Sequence, residues 1–405
     1  VCHFRILFIF TFILTAFWAT QVQAQGFSFL NSRKQQTLYF DLTKNLIIVP
    51  IYINQKGPFN FILDTGVSPM VILDPKLKES LRVPYPRAIK ISGYGNFEEI
   101  DAFIGTTRVK IGDAEIENMP TVFLKEDVTN ISGFVGKKIY GLLGYHFFNS
   151  FVVQVNYANK KLKFTSPKKK AKLKGEKINI LLVGNKPYVN LVLLQDNLQA
   201  NITAVIDCGA GHAISLEALN AEAFPVPSKS IEGSLGNGLA SQITGKVGRV
   251  KSLSLGSFSF KDIVAKYPKY NIDTAAEIDR NANIGAEILS RFNITYDYAN
   301  KHIYLKKNFK YSHAFEYDMS GIDLYTEEGP PSRSIINRID PDSPAEIAGF
   351  EEGDEIISVN FKPIESYPLN EVDAILRSKE GNNVILEIWR NGSTFIKLLK
   401  LKQRI

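Results

Sequence analysis

Two aspartates carry the chemistry this sequence offers. Each closes an apolar run and is followed two residues later by glycine: Phe61-Ile62-Leu63-Asp64-Thr65-Gly66 and Val205-Ile206-Asp207-Cys208-Gly209. A carboxylate ending a buried strand is costly unless it is paired or given hydrogen-bond donors. The glycine permits a tight turn and a close approach of main-chain N–H groups. If the two aspartates meet at about 3 Å, both cannot ionise, and they share a proton. One then accepts a proton from water as that water attacks a carbonyl, while the other donates to the carbonyl oxygen. Such chemistry requires no metal, no cofactor and no covalent intermediate. Other constellations are weaker. Cys208 and His212 could be offered as a thiol nucleophile and its base, but no third orienting group accompanies them. The chain has five histidines and no His or Cys group at zinc spacing. The glycines between Ile231 and Gly238 lack the Lys-Ser or Lys-Thr of a phosphate loop.

The elements that must position these aspartates repeat along the chain. Gly144 to Phe164 (GYHFFNSFVVQVNYANKKLKF) and Gly285 to Leu305 (GAEILSRFNITYDYANKHIYL) start with glycine and place Tyr-Ala-Asn-Lys at the same distance from it, at Tyr157 and Tyr298. Gly112 and Gly256 keep similar distances from their aspartates. Each copy reads as an alternating strand (Leu46 to Ile53; Tyr188 to Leu194), a turn (Lys56-Gly57-Pro58; Gln195-Asp196-Asn197) and the apolar strand that ends in Asp-x-Gly. A glycine-rich hairpin follows in each, at Gly93-Tyr94-Gly95 and Gly236-Asn237-Gly238. The expected units are residues 28–166 and 177–308, joined by a basic linker at 167–176. With 27 Phe, 17 Tyr and 28 Gly among 405 residues, a mainly β fold is expected.

Composition narrows the setting. The formal charge of +7 rests partly on lysines crowded into the linker, which gives little reason to expect nucleic acid as a partner. Arg5, the apolar run Ile6 to Trp18 and the small and polar residues up to Ala24 read as an export signal over residues 1–24, too short to span a bilayer. Membrane anchoring would follow only if that signal were retained. Its removal would leave Cys208 as the sole cysteine and exclude an internal disulfide. A bacterial periplasmic or envelope location is therefore expected.

The paired triplets resemble those of the aspartic protease superfamily, in particular the retropepsin-like proteins and the two-lobed pepsin-like arrangement. Ile139-Tyr140-Gly141-Leu142-Leu143-Gly144 and Ala282-Asn283-Ile284-Gly285 resemble the apolar-apolar-Gly segment that packs behind each triplet. The resemblance implies two all-β lobes in one chain, Asp64 and Asp207 as the catalytic pair, Thr65, Gly66, Cys208 and Gly209 as the turns that hold them, and the two hairpins as flaps over a peptide or protein substrate. Cys208 stands where the family has Thr or Ser, so a looser hydrogen-bonded lattice is expected on that side. Val67 and Ala210 lack the hydroxyl that pepsin-like members place near the outer carboxylate oxygens. Fewer donors there imply less depressed pKa values. The alternative is a catalytically silent peptide-binding scaffold.

From Phe315 the pattern changes. Ser334 to Ile339 reads as a strand, and Ser343 to Ile356 closely resembles the SPA-x-x-AG-h-x-x-GD-x-I signature of PDZ domains of the bacterial envelope-protease type, here an α+β unit over 315–405. The resemblance implies strand addition of a peptide ligand, with a carboxylate-receiving loop at Gly321-Ile322-Asp323-Leu324. Asp323 replaces the family's second glycine and would oppose an incoming carboxylate, which favours internal segments or a purely structural module. Asn308 to His313 shows no long apolar face, so a loosely attached unit is expected.

Overall fold

The computed structural model describes residues 26–84, 86–92, 99–127, 129–169, 172–238, 242–269, 278–327, 329, 332–367 and 369–405. The export signal, the hairpin tip Gly93-Tyr94-Gly95 and Lys170-Ala171 of the linker lie outside the described residues. The fold is mainly β, with a smaller α+β unit at the C-terminal end.

Strand β1 (Leu46–Ile53) turns back into β2 (Lys56–Leu63), which runs up to Asp64. The turn is Asn54-Gln55, both at positive φ, and not Lys56-Gly57-Pro58. A two-residue hairpin whose twist matches its strands needs two left-handed residues, and asparagine tolerates that conformation well. Beyond the triplet come β3 (Met70–Ile72), β4 (Ala114–Leu124), the short helix α1 (Ile131–Val135), β5 (Gly141–Leu143) and β6 (Val152–Asn156). In the later half, β7 (Lys186–Gln195) and β8 (Leu198–Ile206) form the hairpin that ends in Asp207. They are followed by β9 (Ile214–Leu216), β10 (Phe258–Pro268), β11 (Ala282–Ile284) and β12 (Phe292–Asp297).

The pairing around the two aspartates is the same. β5 runs parallel to β2 with Leu142 opposite Ile62, and antiparallel to β3, which is itself parallel to β4. β11 runs parallel to β8 with Asn283 opposite Val205, and antiparallel to β9, which is parallel to β10. β3, β5, β9 and β11 are buried throughout, as are the ends of β2 and β8 that lead into the aspartates, as mixed sheets covered on both faces require. β6 and β12 then pair antiparallel in a separate sheet, with Gln154 opposite Thr295, 141 positions later. One large apolar core runs under all of this, with Phe61, Phe147, Phe148, Tyr157, Phe292 and Tyr296 among its fully buried members.

The C-terminal unit contains β13 (Ile322–Glu327), an edge strand paired with β14 (Arg333–Ile339), and helix α2 (Leu369–Leu376). It has its own core around Ile336, Ile356, Leu386 and Leu399. The expected loose attachment is overturned. Phe315 and the last residue, Ile405, are buried within the larger core. The Arg291 guanidinium lies 3.6 Å from the Phe315 ring centroid and donates to the carbonyls of His313 and Ala314. Arg249 donates to the Phe315 carbonyl at 3.0 Å. A single aromatic and a multidentate arginine fasten the connector where no periodic apolar face exists.

Candidate active site

Asp64 and Asp207 hang from equivalent anchors. The Asp64 N–H donates to the Leu143 carbonyl and the Asp207 N–H to the Ile284 carbonyl, both at 2.9 Å. Each carboxylate is then gripped by its own glycine: Gly66 N–H to Asp64 Oδ1 at 2.6 Å, and Gly209 N–H to Asp207 Oδ1 at 2.9 Å. The two carboxyls are close neighbours: a Cβ on Gly66 would touch Asp64 Oδ1 at 3.0 Å and Asp207 Oδ2 at 3.3 Å. A side chain is excluded at Gly209 and crowded at Gly66. A Cβ on Gly209 would stand 2.3 Å from Asp64 Cγ, and one on Gly66 would stand 3.0 Å from Asp64 Oδ1.

The residue between aspartate and glycine locks the two turns together. Thr65 Oγ1 donates to the Ile206 carbonyl at 2.6 Å and accepts from the Cys208 N–H at 3.0 Å. Cys208 Sγ donates to the Leu63 carbonyl at 3.3 Å, the mirror of the first of these contacts. The lattice is therefore closed on both sides, with sulfur in place of a hydroxyl oxygen. Burial, and next the charges of Asp64 and Asp207, push the Cys208 thiol up. A fully buried, protonated, internally bonded thiol is no nucleophile. His212 has its pKa pushed down to about 3 by burial and then by the charge of Lys266, so it stays neutral.

The pair is electrostatically unequal. Asp64 is buried and Asp207 half-buried. Burial, and next the charge of Asp207, hold the Asp64 carboxyl well above the usual carboxylate range. Asp207 instead receives a further donor, Asn283 Nδ2, on its Oδ2 at 2.7 Å. The absence of hydroxyls at Val67 and Ala210 thus leaves only part of the expected deficit, because a residue from another strand supplies Asp207. Leu142 holds the corresponding place in the first half and donates nothing. Asn283 was visible in the sequence as the one polar residue inside an apolar-apolar-Gly segment, but its aim depends on the β8–β11 register. Lys186, whose pKa is lowered by burial and next by Arg280, lies close enough that its charge acts on both aspartates.

These groups open into a cavity of about 1230 Å3. Gly236 and Gly238 of the second hairpin line it, and Asn237 ends the strand Ser230–Asn237 between them. The cavity wall also includes Ile322, Asp323 and Leu324 of β13, Asp373 and Ala374 of α2, and Arg377 just beyond that helix. Ile322, Asp323 and Leu324 therefore line the same cavity as the aspartates and not a remote surface, while Gly321 immediately precedes β13. Among the described residues, no group of three His, Cys, Asp or Glu side chains is arranged to hold a metal ion.

Comparison with known proteins agrees with this layout. Residues 49–147, which include Asp64-Thr65-Gly66, match the family described as aspartyl protease. Residues 335–390 match the family described as PDZ domain. The chain thus carries an aspartyl protease domain and a C-terminal PDZ domain. Over 142 residues, 35% of this chain, it is 28% identical to the carboxy-terminal processing protease CtpA of Bacillus subtilis (strain 168). That match spans 30% of the length of the relative.

Proposed function

We propose that the chain is an aspartic endopeptidase whose lobes, 28–166 and 177–308, each contribute one carboxylate of an Asp64–Asp207 dyad, with the PDZ unit at 315–405 docking the polypeptide substrate. The close apposition of the two carboxyls in a peptide-sized cavity carries the reading. The shared proton resides on Asp64, whose buried carboxyl favours the neutral form. Asp207, held by Gly209 and Asn283, is the base. Water attacks the scissile carbonyl carbon and gives its proton to Asp207, while Asp64 donates its proton to the carbonyl oxygen. The resulting gem-diol collapses: its hydroxyl proton returns to Asp64, the C–N bond breaks, and Asp207 passes its proton to the departing amine nitrogen. Each aspartate ends as it began. The hairpin at Gly236-Asn237-Gly238, whose two glycines line the cavity, fits the role of a flap over the bound chain.

The test uses unfolded casein as substrate. The wild-type chain cleaves it and a statine inhibitor of the pepstatin type blocks cleavage. Asp64→Asn and Asp207→Asn each abolish turnover, and the double variant is no worse than either single one. Turnover that survives either substitution overturns the dyad. No turnover in the wild type favours the silent scaffold.

A further inference from the structure

The loop that would receive a terminal carboxylate in the PDZ unit is already filled. Asp318 Oδ1 accepts from the Ser320 N–H at 3.2 Å and from Ser320 Oγ at 2.5 Å, and Asp318 Oδ2 accepts from the Gly321 N–H at 2.5 Å. The next N–H, of Ile322, donates to Ser320 Oγ at 3.0 Å. Three successive main-chain donors are thereby consumed by the chain's own side chains. Arg404 reinforces the arrangement, 3.5 Å from Asp318 and 2.7 Å from Asp340. A ligand carboxylate arriving here would meet the charges of Asp318 and Asp323 and no unused donor from 320 to 322.

The strand beyond this loop is nevertheless an edge. Among the described residues β13 pairs only with β14, and its Ile322, Asp323, Leu324 and Tyr325 face the same cavity as Asp64 and Asp207. Ala374 of α2 is exposed and lines that cavity as well. At the far end α1 of the protease domain packs against β13. A Cβ on Gly133 would lie 3.1 Å from the Thr326 carbonyl oxygen. The cavity exceeds the roughly 300–1,000 Å3 of small-molecule sites. It is bordered by the aspartates and by the open edge of β13, so one extended polypeptide can engage both.

We propose that the β13 edge docks an internal, extended segment of the same polypeptide whose scissile bond lies at the aspartates, and that this groove excludes chain termini. The inference rests on the peptidase reading and specifies which part of a substrate the PDZ unit holds. Main-chain hydrogen bonds to 322–325, from groups other than the Ile322 N–H, supply the affinity, continuity with the catalytic cavity supplies the register, and the occupied loop removes the usual demand for a free carboxylate. Substrates are then cut at internal sites without reference to their C-terminus.

The binding test does not depend on cleavage. Random twelve-residue peptides are displayed on phage either fused at both ends or with a free C-terminus, and selected on the full chain carrying Asp64→Asn and Asp207→Asn. Binders are expected from the doubly fused library. As synthetic peptides they keep their affinity within twofold whether the C-terminus is amidated or free, and they slow amide exchange at 322–325. Ala374→Trp, an exposed position that leaves the melting temperature unchanged, weakens them at least tenfold. In the same background Asp318→Ala opens the loop and produces a preference for free-acid peptides. A tenfold preference of the unmodified loop for a free carboxylate, an absence of binders from both libraries, or binders that leave 322–325 unprotected overturns the inference. Casein hydrolysis, measured separately on the wild type, decides the peptidase reading.

Discussion

At the scale of single residues the dyad is asymmetric, and asymmetry makes predictions about pH. In the proposed mechanism Asp64 must be protonated to donate, so activity is expected to be lost as pH rises through its raised pKa. Lys186 lowers that pKa by its charge. Lys186→Met therefore shifts the alkaline limb of the kcat/KM profile to higher pH, which initial rates across a pH series will show. Asn283→Leu copies the first half of the chain and removes a donor from the Asp207 carboxylate. A hydrogen bond to a charged group contributes roughly 1.5–3 kcal/mol, so the rate of casein cleavage falls about tenfold or more. Stability follows the same group with the opposite requirement. A carboxyl whose folded pKa is raised favours folding below its unfolded value of about 3.9 and loses that contribution as pH rises through the folded value. Asp64→Asn should accordingly melt at a higher temperature than the wild type near neutrality and show little difference near pH 4. Differential scanning calorimetry at the two pH values checks this.

At the scale of elements the two turns work as one clasp. Thr65→Val removes the acceptor of the Cys208 N–H and the donor to the Ile206 carbonyl, each buried group costing roughly 1–3 kcal/mol when left unpaired. Cys208→Thr replaces the thiol by a better donor and should raise stability in urea unfolding while activity persists. Gly209→Ala is expected to inactivate more severely than Gly66→Ala, because its Cβ would meet Asp64 Cγ at 2.3 Å and not a carboxylate oxygen at 3.0 Å. Much of this was legible from the chain alone. The apolar runs, the Asp-x-Gly triplets and the Tyr-Ala-Asn-Lys repeats are local signals that the strands obey directly. Asn283, Asp318 and Phe315 were not legible in the same way. Each acts on a residue set by strand register or by the fold of a loop, and no spacing in the sequence states which N–H or ring it will meet. The turn at Asn54-Gln55 was missed for a different reason: Gly57-Pro58 is the louder turn signal, yet both residues belong to β2.

At the scale of the whole molecule the PDZ unit is not a detachable accessory. Phe315 and Ile405 are both core residues, and burying such side chains contributes about 1.5–3 kcal/mol each. Removal of residues beyond Lys307 should lower the melting temperature and the rate toward casein together, whereas a unit hung on a free linker would change only the latter. Lys44 and Asp373 add a polar contact at 3.5 Å between the protease domain and α2. The pairing of Gln154 with Thr295 has a further consequence. Antiparallel strands that set a residue against its counterpart in the other half define a local two-fold, and a surface that fits its counterpart in this way also fits a second copy of itself. Residues 26–169 alone would be expected to self-associate through β6, which light scattering on that fragment can detect. Such an assembly of identical halves could not assign its proton: both carboxylates would be interchangeable, and every change made near one would be made near the other. Tethering two unequal halves in one polypeptide lifts that constraint, and the asparagine at 283 opposite the leucine at 142 is a difference that only a tethered pair can keep.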